Sequence, residues 1–496
     1  MTEDFCKVTD DEEESCQSNC EQPGSGGSNG NIRNRVIGYY EAWVHDRKCN
    51  GMSIEQIPVG ALTHLMFSFA YVTPMEFQIT PMDDLDPSLF SKMTAMKRKN
   101  KALKVMVALG GWTFNDPGPT QTVFHDLASS KANRAKFIGN LLSFMRQYAF
   151  DGVDFDWEYP GAEDRGGSEE DGENFTLLLE ELRDAINNQP IEYVVSFTTP
   201  TSFWYLRHFD IKGSTDAVDF VNIMSYDLHG VWDAWNPIGS NVLAHTNLTE
   251  IKLALDLYWR NDIPPEKLNL GFGFYGRSFT LSDPTCYKPG CPFAGGANPG
   301  PCTKNSGTLA YREIVDVIEQ HKLKPYYDEE HQVKYIVWNQ NQWISYDNEC
   351  IDLCANASPQ DDEETIAAKI EFANSQGLGG LIIWSVDQDT DDLSALAAVV
   401  GPQTFALALK STVGEDAAYW QDMGAQDCYV TGCGGECKTG FKEITHQPCG
   451  DATFLFRHST EEDSKLCCPL SSAPNPDNCR WQVVPEPSKL MRIQAE

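Results

Sequence analysis

The residues best equipped for chemistry lie between positions 151 and 160, DGVDFDWEYP. Side chains of an extended strand alternate faces, so Asp154, Asp156 and Glu158 share one face while Val153, Phe155 and Trp157 share the other. Three carboxylates inside an otherwise apolar strand are costly to bury without a task. Crowded like charges resist ionising together, so the row keeps a proton and Glu158, last in line, is the candidate general acid. Which member holds the proton at each stage is a property of the coupled group.

Such a row needs a buried strand to carry it. Short apolar runs at 36–40, 62–71, 102–110, 152–157, 193–199, 218–224, 268–274 and 380–384 alternate with amphipathic stretches such as 131–148 and 174–187. That pattern predicts an α/β fold, a (β/α)8 TIM barrel over residues 32–401, whose catalytic groups sit at the C-terminal strand ends, where Glu158 falls. The gap between the seventh and eighth runs exceeds one helix and two loops, which predicts an α+β insertion at about 278–346 with a strand at 333–338. The last barrel helix follows at 363–375. Residues 1–31 hold Cys6, Cys16 and Cys20, an acidic run and GSGGSNGN, and read as the end of a small disulfide module plus a flexible linker. Residues 402–496 hold Cys428, Cys433, Cys437, Cys449, Cys467, Cys468 and Cys479, the mark of a small disulfide-rich C-terminal module.

With 38 basic residues against 72 acidic ones the chain carries a net charge of −34, which repels polyphosphate and anionic lipid. Neither nucleic acid nor a membrane surface is expected as a partner. No apolar run approaches the roughly 18 residues needed to cross a bilayer, and the opening residues lack a targeting pattern. Sixteen clustered cysteines favour an oxidising compartment, and sequons at Asn174, Asn247 and Asn356 are compatible with it. The expectation is a secreted protein whose signal lies upstream of residue 1.

A carboxylic acid among aromatic residues at a barrel mouth suggests glycoside hydrolysis. Ordinary retaining enzymes place a second carboxylate across the bond as nucleophile, and inverting ones leave room for a water. Asp156 and Glu158 are two residues apart on one face, about 6.6 Å by strand rise, so Asp156 is badly placed to attack from the opposite side. The remaining option is a substrate that supplies its own nucleophile, as a 2-acetamido group can, with Asp156 orienting it. Tyr39, Trp43, Trp112, Trp232 and Trp235 lie near strand ends, where rings could stack on sugars or simply pack. Tyr159, beside Glu158, is a further candidate for substrate contact.

DGVDFDWEYP matches the DxxDxDxE signature of the family 18 glycoside hydrolases in its chitinase form. Residues 108–112 (ALGGW) resemble the family's SxGGW strand, 224–230 (MSYDLHG) its MxYDxHG segment, 274–279 (FYGRSF) its FYGRSF, and 382–385 (IIWS) its last strand. The resemblance spans 36–401 and implies a retaining, substrate-assisted mechanism without a cofactor or metal, acting on chitin or chitooligosaccharides, in a monomer. By motif position it makes Glu158 the proton donor and later base, Asp156 the partner of the acetamide N–H, Asp154 its buried relay and Tyr226 the donor to the acetamide carbonyl. Asp227 would contact the sugar, Arg277 a neighbouring saccharide, and Trp384 would floor the distorted ring. Ala108 departs from the usual Ser and is expected to weaken support for Asp151 and Asp154. The first residues resemble the end of a hevein-like chitin-binding module, and the C-terminal module resembles cysteine-rich tails of fungal-type chitinases. Two other readings are a chitin lectin without turnover, against which Glu158 stands, and an endo-N-acetylglucosaminidase acting on glycoproteins.

Other patterns are weaker. The GxGxxG at 271–276 is followed by no helix. Asp387, Asp389, Asp391 and Asp392 lack the Gly and Glu of a calcium loop and read as a solvated loop. Cys428, Cys433 and Cys437 read as disulfide partners rather than zinc ligands, and His229 as a hydrogen-bonded loop residue.

Overall fold

The computed structural model describes residues 31–45, 47–83, 85–348, 365–401, 404–406 and 408, together with 429–430, 437, 441–448, 463–469, 479–483 and 491–495. Eight parallel strands close into a barrel: β1 Val36–Glu41, β2 His64–Val72, β3 Lys104–Gly110, β4 Gly152–Asp156, β5 Val194–Pro200, β6 Phe220–Met224, β7 Leu268–Gly273 and β8 Gly380–Trp384. Each strand pairs with its sequence neighbours, and the ring closes where β1 pairs with both β2 and β8. The expected (β/α)8 barrel is therefore present. Four strands start one or two residues later than the sequence suggests, at His64, Lys104, Val194 and Phe220, and at two of them helical structure takes the preceding residues. Val59–Ala61 forms a 3-10 turn ahead of β2, and Val218 caps the helix Ile211–Ala217 ahead of β6.

Alternation divides each strand between two environments. On β4, Val153 and Phe155 face outward, where Phe155 packs 6.0 Å from Phe137 of the helix Lys131–Tyr148 and 5.8 Å from Phe175 of the helix Asp171–Asn187. Inside, Ile37, Met66, Met106, Phe220 and Ile382 form an apolar layer. Above it the lining turns polar, with Asp154, Ser196, Asn222 and Asn269 all fully buried.

The insertion begins at Tyr275 rather than 278, because the chain leaves β7 and after one residue enters the antiparallel strand Tyr275–Leu281. Its sheet runs in the order Phe293–Gly296, Tyr275–Leu281, Gln342–Tyr346, Val333–Trp338, Tyr326–Asp328, with the helix Tyr311–His321 alongside. Phe279, Phe293, Tyr335 and Trp343 form its core. One disulfide, Cys286–Cys291, closes a short loop within it, and another, Cys49–Cys302, ties it to the segment after β1. A buried ion pair joins Asp347, just past the insertion, to Lys369 on the barrel helix Thr365–Ser375. Lys369 also donates to the Gln332 carbonyl at 3.1 Å. Asp347→Ala strands this ammonium in the interior and is expected to cost about 3–5 kcal/mol, read as a lower urea midpoint. Asp347→Leu/Lys369→Met should recover most of it.

The strands Tyr429–Val430, Asp463–Pro469 and Phe441–Pro448 form one small antiparallel sheet, and Cys479–Val483 pairs with Met491–Ala495. Cys437 is disulfide-bonded. The N-terminal segment up to residue 30, Asn356 and Cys428, Cys433 and Cys449 lie outside the described residues. Among the described residues no helix is long and apolar enough to cross a membrane.

Candidate active site

Asp154 is fully buried and triply supported. It accepts hydrogen bonds from the Tyr39 hydroxyl at 2.7 Å, the Ser196 hydroxyl at 2.6 Å and the Asn222 amide at 3.1 Å. Burial raises its carboxyl to about 6, with these three bonds working in the opposite direction. Asp156 accepts from the Thr198 hydroxyl. Burial and the nearby Glu158 charge hold Asp156 well above the usual carboxylate range. Glu158 lies just beyond the end of β4, and burial lifts it to about 7, offset in part by a hydrogen bond from Tyr159 and by the Arg165 charge. Two buried carboxyls that each disfavour ionisation of the other retain a proton between them.

Asp151 does not belong to this network. It stands at the foot of β4, accepts from the Val105 N–H at 2.8 Å and pairs with Lys97 at 3.0 Å, on the opposite face from Asp154. Ala108 lies opposite Asp154 in the strand register and offers it no hydroxyl. The three bonds already described carry that load instead. Tyr39 corrects another expectation: it is 1% exposed, its hydroxyl is donated to Asp154 and receives the Asn222 amide at 2.8 Å, so it braces the carboxylate from below the mouth. Tyr159 is likewise buried, stacked 4.4 Å from Tyr205, with its hydroxyl on Glu158. It holds the acid rather than opening onto the cleft.

Trp384, half-buried at the end of β8, forms the aromatic floor with Phe69, stacked at 5.5 Å, Tyr39 at 5.7 Å and Trp43 at 6.4 Å. Across the mouth Tyr226 is buried, and burial together with the Asp156 charge keeps its hydroxyl protonated as a donor. Asp227 receives a bidentate Arg277 and the Tyr275 hydroxyl at 2.7 Å. Burial would raise its carboxyl, but Arg277 and His245 outweigh it and hold Asp227 well below the usual range. Arg277 also lies 4.9 Å over the Trp232 ring. Trp112 is half exposed with the Arg165 guanidinium 3.7 Å over its ring, while Trp235 stands almost fully in solvent. His229 is bonded to Asp233 at 2.8 Å and Glu250 at 2.9 Å, which overcome its burial and raise it to about 9. It locks the loop behind Tyr226 as a cation.

The barrel thus presents a buried row of three carboxyls beside an aromatic floor, at the strand ends where barrel enzymes work. A family model described as Glycosyl hydrolases family 18 matches residues 35–389. The chain belongs to this family. The secreted chitinase LysM12 of Penicillium expansum is 30% identical over 71% of the chain, which spans 23% of that relative's length. The Group IV chitinase of Ostrinia furnacalis superposes with a TM-score of 0.63 at 28% identity, covering 76% of this chain and 99% of that one. Human YKL-39, described as a pseudo-chitinase with retained chitooligosaccharide binding properties, gives 0.62 at 26% identity over 76% of this chain and 99% of its own. The family 18 fold is therefore shared by chains with and without turnover.

Several site residues escape the motifs. Ser196 and Thr198 sit at inward positions of β5, and the alternation that singles out the β4 carboxylates would have exposed them too. Asn222 occupies the equivalent place on β6. Phe69, His245 and Arg165 arrive from loops and neighbouring strands, with no local pattern to mark them, whereas Tyr275 lies inside the 274–279 motif, which does not single it out. The acidic run after β8 also departs from expectation. Asp387 and Asp389 are buried, and Asp389 accepts the N–H groups of Ala395 and Leu396 at the start of the helix Ser394–Val400. Asp391, paired with Arg312, is largely solvent-exposed. Asn247 is no open sequon, since its buried side chain caps the helix Leu248–Trp259.

Proposed function

We propose that the protein hydrolyses β-1,4 linkages between N-acetylglucosamine units of chitin, with retention and with the substrate's acetamide as nucleophile. The observation that carries this reading is the buried Asp156–Glu158 pair, which keeps a proton at the mouth. The other nearby carboxylate, Asp227, is tied to Arg277 and Tyr275 and is no free nucleophile. Glu158 donates its proton to the glycosidic oxygen as that bond breaks. The acetamide oxygen closes on the anomeric carbon to give an oxazolinium ion, whose N–H bonds Asp156 and whose position Tyr226 steadies. Glu158, now ionised, takes a proton from water as the water opens the ring from the leaving-group side, restoring the acid. Trp384 supports the distorted sugar. Retention of Glu158 favours turnover over binding alone, and secretion fits the disulfides and the secreted relative.

Chitin oligosaccharides are expected to release the β anomer first, observable by proton NMR within the mutarotation time. An α product would exclude participation by the acetamide. Because the acid must enter protonated and Glu158 is raised to about 7, kcat/KM is expected to hold below neutrality and to fall as pH rises through about 7.

A further inference from the structure

The Arg165 side chain touches both the acid's segment and the exposed Trp112. It is 5% exposed, and all three of its guanidinium nitrogens donate. Nε donates to the Glu158 carbonyl at 3.0 Å, Nη1 to Asp116 Oδ1 at 2.8 Å and Nη2 to the Trp112 carbonyl. Its flat face covers the Trp112 ring at 3.7 Å, while Trp112 keeps 49% of its surface open. One ring face is therefore backed by a rigid cation and the remainder is free for a ligand. The 3-10 turn Trp112–Asn115 is bound to the same segment a second time, since Asn115 Oδ1 accepts the Glu158 N–H at 3.3 Å. Arg165 reaches this position from its own short turn, Glu163–Arg165, which Gly166 ends at φ +80.

We propose that Arg165 is a positioning residue that couples the aromatic platform Trp112 to the proton donor Glu158, setting the acidity of one and the pose of the other. The proposal rests on the chitinase reading above and deepens it. The two effects separate by chemistry. Acidity depends on charge: the groups facing Glu158 are Asp156 and Tyr159 from its own strand end, Asp116 from the turn after β3, Tyr205 from the turn after β5, Tyr226 and Asp227 after β6, and Arg165. Arg165 is the cation of that set, and it favours the carboxylate. The pose of Trp112 depends on shape, because only a planar guanidinium can stack on a ring while donating in three directions.

The test measures kcat, KM and the pH dependence of kcat/KM on chitin oligosaccharides for the parent, Arg165→Gln, Arg165→Lys and Trp112→Ala. In Arg165→Gln the alkaline limb should move to higher pH by about half a unit or more, because the charge favouring ionised Glu158 is gone. In Arg165→Lys the limb should stay near the parent's, while KM rises several-fold as it does in Gln, because the stacking plane is lost. Trp112→Ala should raise KM without moving the limb, and adding Arg165→Lys to it should raise KM no further. If Arg165→Gln does not fold, judged by circular dichroism, the Lys and Trp112 variants still decide through the non-additive KM. Equal limbs with unchanged KM, or additive KM effects, overturn the coupling while leaving the chitinase reading intact. A folded parent without turnover overturns both.

Discussion

Replacing Glu158 by Gln is expected to lower hydrolysis of chitin oligosaccharides by about 10²–10⁴-fold while leaving their binding intact. Gln preserves the shape and keeps a partner for the Tyr159 hydroxyl, but has no acidic proton to give the leaving oxygen and no carboxylate to take one from water. The loss should fall on kcat, since the missing interaction exists only as the bond breaks. Initial rates on oligosaccharides, with calorimetric binding of the same ligands, check it. Binding without turnover would match the behaviour described for human YKL-39. Full activity in a folded Glu158→Gln would remove Glu158 from the role of acid.

Asp156→Asn should lower kcat by about 10²-fold or more, because a group aimed at charge developing in the transition state is worth that much in a water-poor site. It should also shift the pH profile, in a direction set by like-charge repulsion. The Glu158 charge raises Asp156, and repulsion between two carboxylates acts both ways, so removing the Asp156 charge is expected to make Glu158 easier to ionise. The alkaline limb should therefore move below its expected position near 7. A limb that stays in place or rises would show that the two carboxyls do not share a proton. This shift is opposite to the one expected for Arg165→Gln, so the two variants bracket the electrostatics of one acid.

The legible part of the site is the part written on single strands. Period-2 alternation on β4 singles out Asp154, Asp156 and Glu158 and sends Val153 and Phe155 to the helices, because strand geometry acts residue by residue. The eight apolar runs mark the barrel for the same reason, and their errors are confined to strand ends, with helical structure competing at β2 and β6. What a side chain does once the barrel closes is different information. Tyr39 and Tyr159 look like sugar contacts in the chain and are braces in the fold: the Tyr39 hydroxyl meets Asp154 only after distant segments pack, and Tyr159 is buried against Tyr205 with its hydroxyl on the adjacent Glu158. Asp387 and Asp389 look like a solvated loop, yet closure between β1 and β8 buries them: Asp387 accepts the Glu41 N–H at 3.0 Å.

The sequence by itself determined the barrel, the row of three carboxylates and the family, since these depend on local periodicity and short motifs. Only the tertiary structure decided which neighbours hold each carboxyl, how far burial raises them and what backs the exposed tryptophan. Those properties arise from burial and from contacts between segments such as Tyr39 and Asp154, 115 residues apart in the chain. Burial and charge proximity act through space, and no pattern of residues along one strand encodes them.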